Sequence, residues 1–238
     1  LELDRIGAPR NLVQALPNPV SKDLSMEMLK QVDLVVVTGS QNNVRAAYTC
    51  GTPAFGVGAG NVTSLIDETA DLASAAAKIK ASKTFDNATS CSSENSLIMV
   101  KAIYNDMLKA LESVNGCLLT PKETAKLEAV LWHKGHLNAS MLAKPVSVMC
   151  ELAGITRTSV CDADFLMVEE TGAGADFPFS GEKMALVLTL YRAQDFDDAK
   201  KVANTILNYQ GKGHSLSLHS QSIERAEVLG LETVSYTH

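Results

Sequence analysis

Asp33-Leu-Val-Val-Val-Thr38 is a continuous β-branched run that ends in Thr38-Gly39-Ser40. A run with no polar face suits a strand covered on both sides by helices, as in a parallel sheet. Residues 42–48 predict the helix that follows. Cys50-Gly51-Thr52-Pro53 stops it, because Gly favours the C-terminal cap and Pro cannot continue a helix. Ala54-Phe55 is a second short apolar run, leading into Gly56-Val-Gly-Ala-Gly-Asn61. Upstream, residues 21–30 predict a helix with Met26, Met28 and Leu29 on its apolar side. The first 60 residues thus read as strand–helix units of a doubly wound α/β sheet.

After Asn61 the pattern restarts. Residues 62–66 predict a strand, and Asp67-Glu-Thr-Ala-Asp71 puts acids at the start of a helix to about Ala81, where they suit the helix dipole. Residues 83–95 read as a polar, glycine-free loop, 96–100 as a strand and 102–114 as a helix. Thr120-Pro121-Lys-Glu123 carries a capping Thr, Pro at the first helical position and Glu three after the cap. Residues 184–191 predict a strand and 195–207 an amphipathic helix with Phe196, Ala199, Val202, Ala203 and Ile206 at helical spacing. The stretch 170–181 reads as linker-like. Two α/β domains meeting near Gly60 follow.

Composition removes other classes. Of 238 residues 46% are apolar, too many for a disordered chain, yet no run of about 18 apolar residues exists to cross a membrane. Net charge is −6, against a nucleic-acid or anionic-membrane footprint. The opening Leu-Glu-Leu-Asp-Arg has neither the basic start nor the apolar stretch of a signal peptide. Five cysteines, odd in number and without C-x-x-C, speak for a reducing, cytoplasmic compartment.

A lone cysteine is ordinarily a small core hydrophobe. Cys91 departs from that default: five of the seven residues from Thr89 to Asn95 are Ser, Thr or Asn. A thiol in so polar a loop is reachable, and loop N–H groups could stabilise a thiolate or an oxyanion. Cys50, Cys117, Cys150 and Cys161 take the ordinary reading. Gly56-Val-Gly-Ala-Gly-Asn61 is neither G-x-G-x-x-G nor a P-loop and by itself reads as a close backbone crossing. Trp132-His133-Lys-Gly-His136 puts two His three apart, but no third ligand is near and Gly135 weakens a helix; a solvated pair is the better reading, and no metal is expected. Asp195-Phe-Asp-Asp198 reads as a helix start.

Taken together, Gly56-Val-Gly-Ala-Gly-Asn61, Ile66-Asp-Glu-Thr-Ala-Asp71, Ser82-Lys-Thr-Phe-Asp-Asn87, Cys91, Glu94, Gly181-Glu-Lys-Met-Ala-Leu-Val-Leu188 and the Gly213-His214 segment, in that order, resemble the CoA-acylating aldehyde dehydrogenases. The likeness runs from about residue 7 to residue 218. Thr89-Ser-Cys91-Ser-Ser93 is most similar to the branch acting on sulfoacetaldehyde. The resemblance implies a partial doubly wound cofactor domain over 1–60 and a thiol-bearing α/β catalytic domain over 61–238. It implies a soluble NAD- or NADP-dependent oxidoreductase that converts a small aldehyde (acetaldehyde or sulfoacetaldehyde) and coenzyme A to acyl-CoA. A homodimer or homotetramer is usual in such enzymes, with no nucleic-acid or membrane partner.

By the same resemblance Cys91 is the nucleophile and Asn61 stands beside it. Thr38, Gly39, Ser40 and Val44 lie along the dinucleotide, and Glu182 binds the nicotinamide ribose. His214 faces CoA or the acyl thioester; without the resemblance, Glu182 would read as an exposed strand-edge acid and His214 as a surface His. Ser90, Ser92 and Ser93 form a hydroxyl cluster beside the substrate. Hydrolytic relatives keep a Glu general base where this chain has Val57. Activating water needs such a base, whereas a thiol of pKa near 8.5 is already a few per cent ionised at about pH 7. The family's first cofactor half and its C-terminal return segment have no counterpart, which reads as a fragment expected to bind dinucleotide weakly. The competing readings are a hydrolytic member of the superfamily and a catalytically silent structural fragment.

Overall fold

Ser21, Ser40, Asp71, Thr120, Asp195 and Ser222 each precede a run of helix formers, and each accepts a hydrogen bond from the N–H three residues on. Such caps satisfy donors that a helix start leaves open. The computed structural model describes residues 2–233, and its contacts divide the chain into two units, Leu1–Gly58 and Ala59–His238.

The first unit holds α1 (Glu2–Arg5), α2 (Lys22–Gln31), β1 (Val35–Thr38), α3 (Gln41–Thr49) and β2 (Ala54–Val57). β1 and β2 pair in parallel, with Val35 opposite Ala54 and Thr38 opposite Val57. Among the described residues β1 pairs with no other strand, and the expected burial on both faces is not seen. Val35 is buried, but Val36 on the opposite face is 73% exposed. On α2 Leu24, Ser25, Met26 and Leu29 are half-buried; Met28 is exposed.

The second unit contains β3 (Val62–Ile66), α4 (Leu72–Thr84), β4 (Glu94–Val100), α5 (Tyr104–Ser113), β5 (Gly116–Leu118), α6 (Pro121–Leu131), β6 (Trp132–His133), β7 (His136–Leu137), α7 (Val146–Ala153), α8 (Thr158–Cys161), β8 (Phe165–Glu169), β9 (Val187–Ala193), α9 (Phe196–Tyr209), β10 (Leu216–His219) and α10 (Ile223–Glu232). Six strands form one parallel sheet in the order β10-β3-β4-β9-β8-β5. Side chains alternate between its faces, as the strand period requires. Ile66, Leu97 and Met99 pack with Met107, Leu111, Leu127 and Met149 on one side. Leu65, Ile98 and Tyr191 pack with Phe196, Ala203 and Ile206 of α9 and Leu229 of α10 on the other. No helix among the described residues is long and apolar enough to cross a membrane.

Several elements differ from the sequence reading. α4 runs three residues past Ala81, to Thr84. β9 begins at Val187 because Met184 has a left-handed φ of +46° and gives its carbonyl to the Ala143 N–H. The stretch 170–181 is no linker: Phe179 and Ser180 are buried, and the Phe179 ring meets Trp132 edge-on at 4.9 Å. His133 and His136 face each other across the β6–β7 hairpin, not on a helix, with Lys134 and Gly135 turning the chain at positive φ.

The capping box of α6 forms as expected: Glu123 Oε2 accepts from the Thr120 N–H at 2.9 Å, and Thr120 Oγ1 accepts from the Glu123 N–H at 3.4 Å. Arg157 donates to both Glu123 oxygens at 2.9 Å and holds that carboxyl down at about 2. Because the folded value lies below the unfolded one, this stabilisation is complete above about pH 4.3 and lost as pH falls toward 2. Urea midpoints should therefore fall less steeply with acid in Arg157→Leu than in the unaltered protein. Parallel curves would show that Glu123 is not the group.

Candidate active site

In a parallel sheet every entering loop reaches the same edge. Four adjacent strands, β10, β3, β4 and β9, are entered through His214, Gly60, Cys91 and Glu182 respectively. These residues converge. A Cβ added at Gly60 would lie 2.9 Å from the Cys91 carbonyl oxygen, 3.0 Å from Glu182 Oε1 and 3.6 Å from His214 Cε1. Gly60 is thus the floor of a cradle that any side chain would fill. Gly56 and Gly58 are equally short of room, against Val44 and Gln41, so the glycine-rich segment is the close crossing its sequence suggests.

Cys91 is the exposed cysteine; Cys150 is buried, and burial with the neighbouring Cys161 pushes its thiol up to about 12. The segment before Cys91 turns sharply: Asp86, Asn87 and Ala88 have φ of +48°, +50° and +64°. Three left-handed residues in a row, one of them Ala, are costly for L-residues and typify functional loops. Thr89 Oγ1 donates to Asp86 Oδ2 at 2.7 Å, and the Ser93 N–H donates to the Ser90 carbonyl at 3.0 Å. Among the described residues the Cys91 N–H has no acceptor, which leaves it able to serve an oxyanion.

The three-serine cluster resolves into a pair. Ser90 and Ser92 hydroxyls bond each other at 2.9 Å on the rim beside Cys91, while Ser93 turns inward, its hydroxyl buried and without a partner among the described residues. Asn61 is fully buried, and its amide donates to the carbonyls of Ser180 at 2.8 Å and Gln210 at 3.2 Å. Its amide therefore braces the entrance to β3. His214 is buried, not a surface residue. The Ser215 N–H points at its Nδ1 at 2.7 Å, so the neutral ring carries its proton on Nε2. Burial lowers its pKa, favouring that neutral form.

Glu182 is half-buried, not an exposed edge acid, and burial raises its pKa against the opposing charges of Lys183 and Lys83. The Gln210 side chain accepts from the Glu182 N–H at 3.1 Å. Sequence reasoning passed over Gln210, Lys83 and Lys183. Lys83 could have been found, since it continues the stripe Ala75, Ala76, Ile79 by one helical turn. In the first unit, Thr38, Gly39 (φ +115°) and Ser40 form the exposed turn from β1 to α3. Val44 is buried, its side chain turned toward Gly56 of β2.

No protein-family profile matches the chain. It is 55% identical over 97% of its length to a sulfoacetaldehyde dehydrogenase (acylating) of Cupriavidus necator, of which it covers 47%. A second enzyme so named, from Bilophila wadsworthia, is 42% identical over 96% of the chain and is covered to 50%. The chain superposes on an acetylating aldehyde dehydrogenase of Geobacillus thermoglucosidasius with TM-score 0.91 and 33% identity, over 98% of this chain and 51% of that one. The chain is homologous to the acylating aldehyde dehydrogenases. This acylating aldehyde dehydrogenase homologue spans about half the length of the curated relatives it matches. Its parallel α/β architecture is the one the sequence resemblance implied.

Proposed function

We propose that this chain carries the thiol chemistry of a CoA-acylating aldehyde dehydrogenase. The observation behind the proposal is the convergence of exposed Cys91 with Glu182 and His214 around the Gly60 cradle. Cys91 thiolate adds to the aldehyde carbonyl, and the Cys91 N–H donates to the oxyanion formed. Oxidation of that thiohemiacetal leaves a thioester on Cys91, and the CoA thiolate displaces the enzyme sulfur. Bound NAD or NADP supplies the hydride acceptor. The side-chain-free floor at Gly60 and the carboxylate of Glu182 suit a ribose with paired hydroxyls, and Glu182 would hold them. By resemblance Thr38, Gly39, Ser40 and Val44 are assigned to dinucleotide binding. His214, with Nδ1 engaged, acts as an Nε2–H donor toward the acyl group and not as a base. Val57 in place of a carboxylate favours thiol transfer over hydrolysis.

The exposed Ser90–Ser92 hydroxyl pair favours an aldehyde bearing an oxyanion, and sulfoacetaldehyde fits that chemistry. Two relatives carrying that name support the choice. The test is kcat/KM for sulfoacetaldehyde against acetaldehyde, with acyl-CoA followed by mass spectrometry. A preference of about tenfold or more for the sulfonate is expected. Preference for acetaldehyde overturns the substrate, and absence of any Cys91 thioester with either aldehyde overturns the chemistry.

A further inference from the structure

Two lysines that the proposed chemistry leaves unused are sealed inside the fold: Lys83 is 1% exposed and Lys183 is 0%. An aliphatic side chain would fill the same space without the cost of desolvating an amine. Their bonds show what the amines do. Lys83 stands in the last turn of α4, and its Nζ donates to the carbonyl of Glu94 at 2.9 Å. These two residues bracket the loop of residues 85–93, so one hydrogen bond spans the departure and the return of the segment that carries Cys91.

The return point is irregular. Val62 pairs with Glu94 but Thr63 pairs with Ser96, so Asn95 is an extra residue on β4. Such a bulge re-aims the chain entering it. Asn95 Oδ1 accepts from the Lys183 N–H at 3.1 Å, and Lys183 Nζ donates to the carbonyls of Phe179 at 2.7 Å and Gly181 at 3.0 Å. One end of this network thus fixes the thiol loop and the other fixes the residues on either side of Glu182.

We propose that Lys83 is the positioning residue of the Cys91 loop: its amine, held on the Glu94 carbonyl at the bulge, determines where the loop rejoins the sheet and so where the thiol stands. The kinetic consequence rests on the function proposed above; the structural one does not. The charges facing the amine are the Glu94 and Glu182 carboxylates and, with opposite effect, the Lys183 amine. Burial brings Lys83 down to about 7 despite those two carboxylates. Its charge-assisted bond therefore weakens as pH rises through neutrality.

Hydrogen exchange on the full chain tests the structural claim. In Lys83→Met the Ser93 amide should exchange at least about tenfold faster while β9 amides stay within about twofold, and Lys83→Arg should restore most of the protection. Unchanged Ser93 protection in folded Lys83→Met overturns the proposal, as does an equal rise along β9, which would mean general loosening. Should Lys83→Met not fold, the unaltered protein decides. Ser93 protection, corrected for intrinsic exchange, should fall as pH rises through about 7, and a flat profile overturns the proposal. In the acyl-CoA assay Lys83→Met should lower kcat about tenfold or more with KM for CoA within about threefold; raised KM at unchanged kcat overturns it. An unaltered protein that forms no acyl-CoA would sink the proposed function and leave the exchange result to judge Lys83.

Discussion

Cys91→Ala should abolish acyl-CoA formation and remove iodoacetamide labelling at residue 91, while dinucleotide affinity stays within about twofold. In the proposed chemistry the thiol makes the covalent bond but holds no part of the cofactor, so its loss falls on the chemical step. The remaining cysteines are poor substitutes. Cys150 is buried with its thiol pushed up, and Cys50, Cys117 and Cys161 are half-buried with their sulfurs turned to backbone carbonyls. Residual turnover above about a hundredth of the original would mean that another residue is the nucleophile. Mass spectrometry of the protein quenched during turnover makes the same test directly, because the acyl adduct should disappear with the sulfur.

Gly60→Ala should also be damaging although it removes no functional group. The added methyl would stand 2.9 Å from the Cys91 carbonyl oxygen and 3.0 Å from Glu182 Oε1. The first is backbone and cannot rotate away, so the thiol loop itself must shift. Gly60 does not have a positive φ, so Ala suffers no conformational penalty of its own and the effect isolates the contact. A displacement of the order of 1 Å at a reacting centre can cost about a hundredfold, so a fall in kcat of about ten- to a hundredfold is expected. Overpacking should destabilise the fold by about 1–3 kcal/mol. Turnover within about twofold of the original, in a variant melting at the original temperature, would show that the space above Gly60 is unused.

Local chemistry in this chain was legible from its sequence. Thr120 and Glu123 form a capping box because both partners lie within one turn. Asp195 caps α9, whose apolar stripe was already spaced for burial. β3 has the bounds that its residues suggested. Cys91 stood out because a polar loop is a poor home for an inert thiol, and it is exposed. Boundaries failed where a local pattern was overridden. Met184 belongs to an apolar run yet takes a left-handed turn, and Phe179 anchors a stretch rich in Gly and Ala that looked like a linker.

Other features depended on the order of strands, which no local window contains. His214 is a surface histidine until β10, the last strand among the described residues, docks beside β3; parallel pairing then delivers it to the edge where Cys91 and Glu182 arrive. Lys83 looked like the first residue of a polar loop until α4 continued through it and put its amine under the bulge at Glu94. Ser93 looked like one more hydroxyl of the rim until pairing at β4 turned it inward. Sequence determines what each residue can do within a turn of helix or a strand's alternation, because those geometries are fixed by the backbone. Which residues from distant segments share one edge is decided only when the sheet closes, because that outcome follows from pairing and burial across the whole domain.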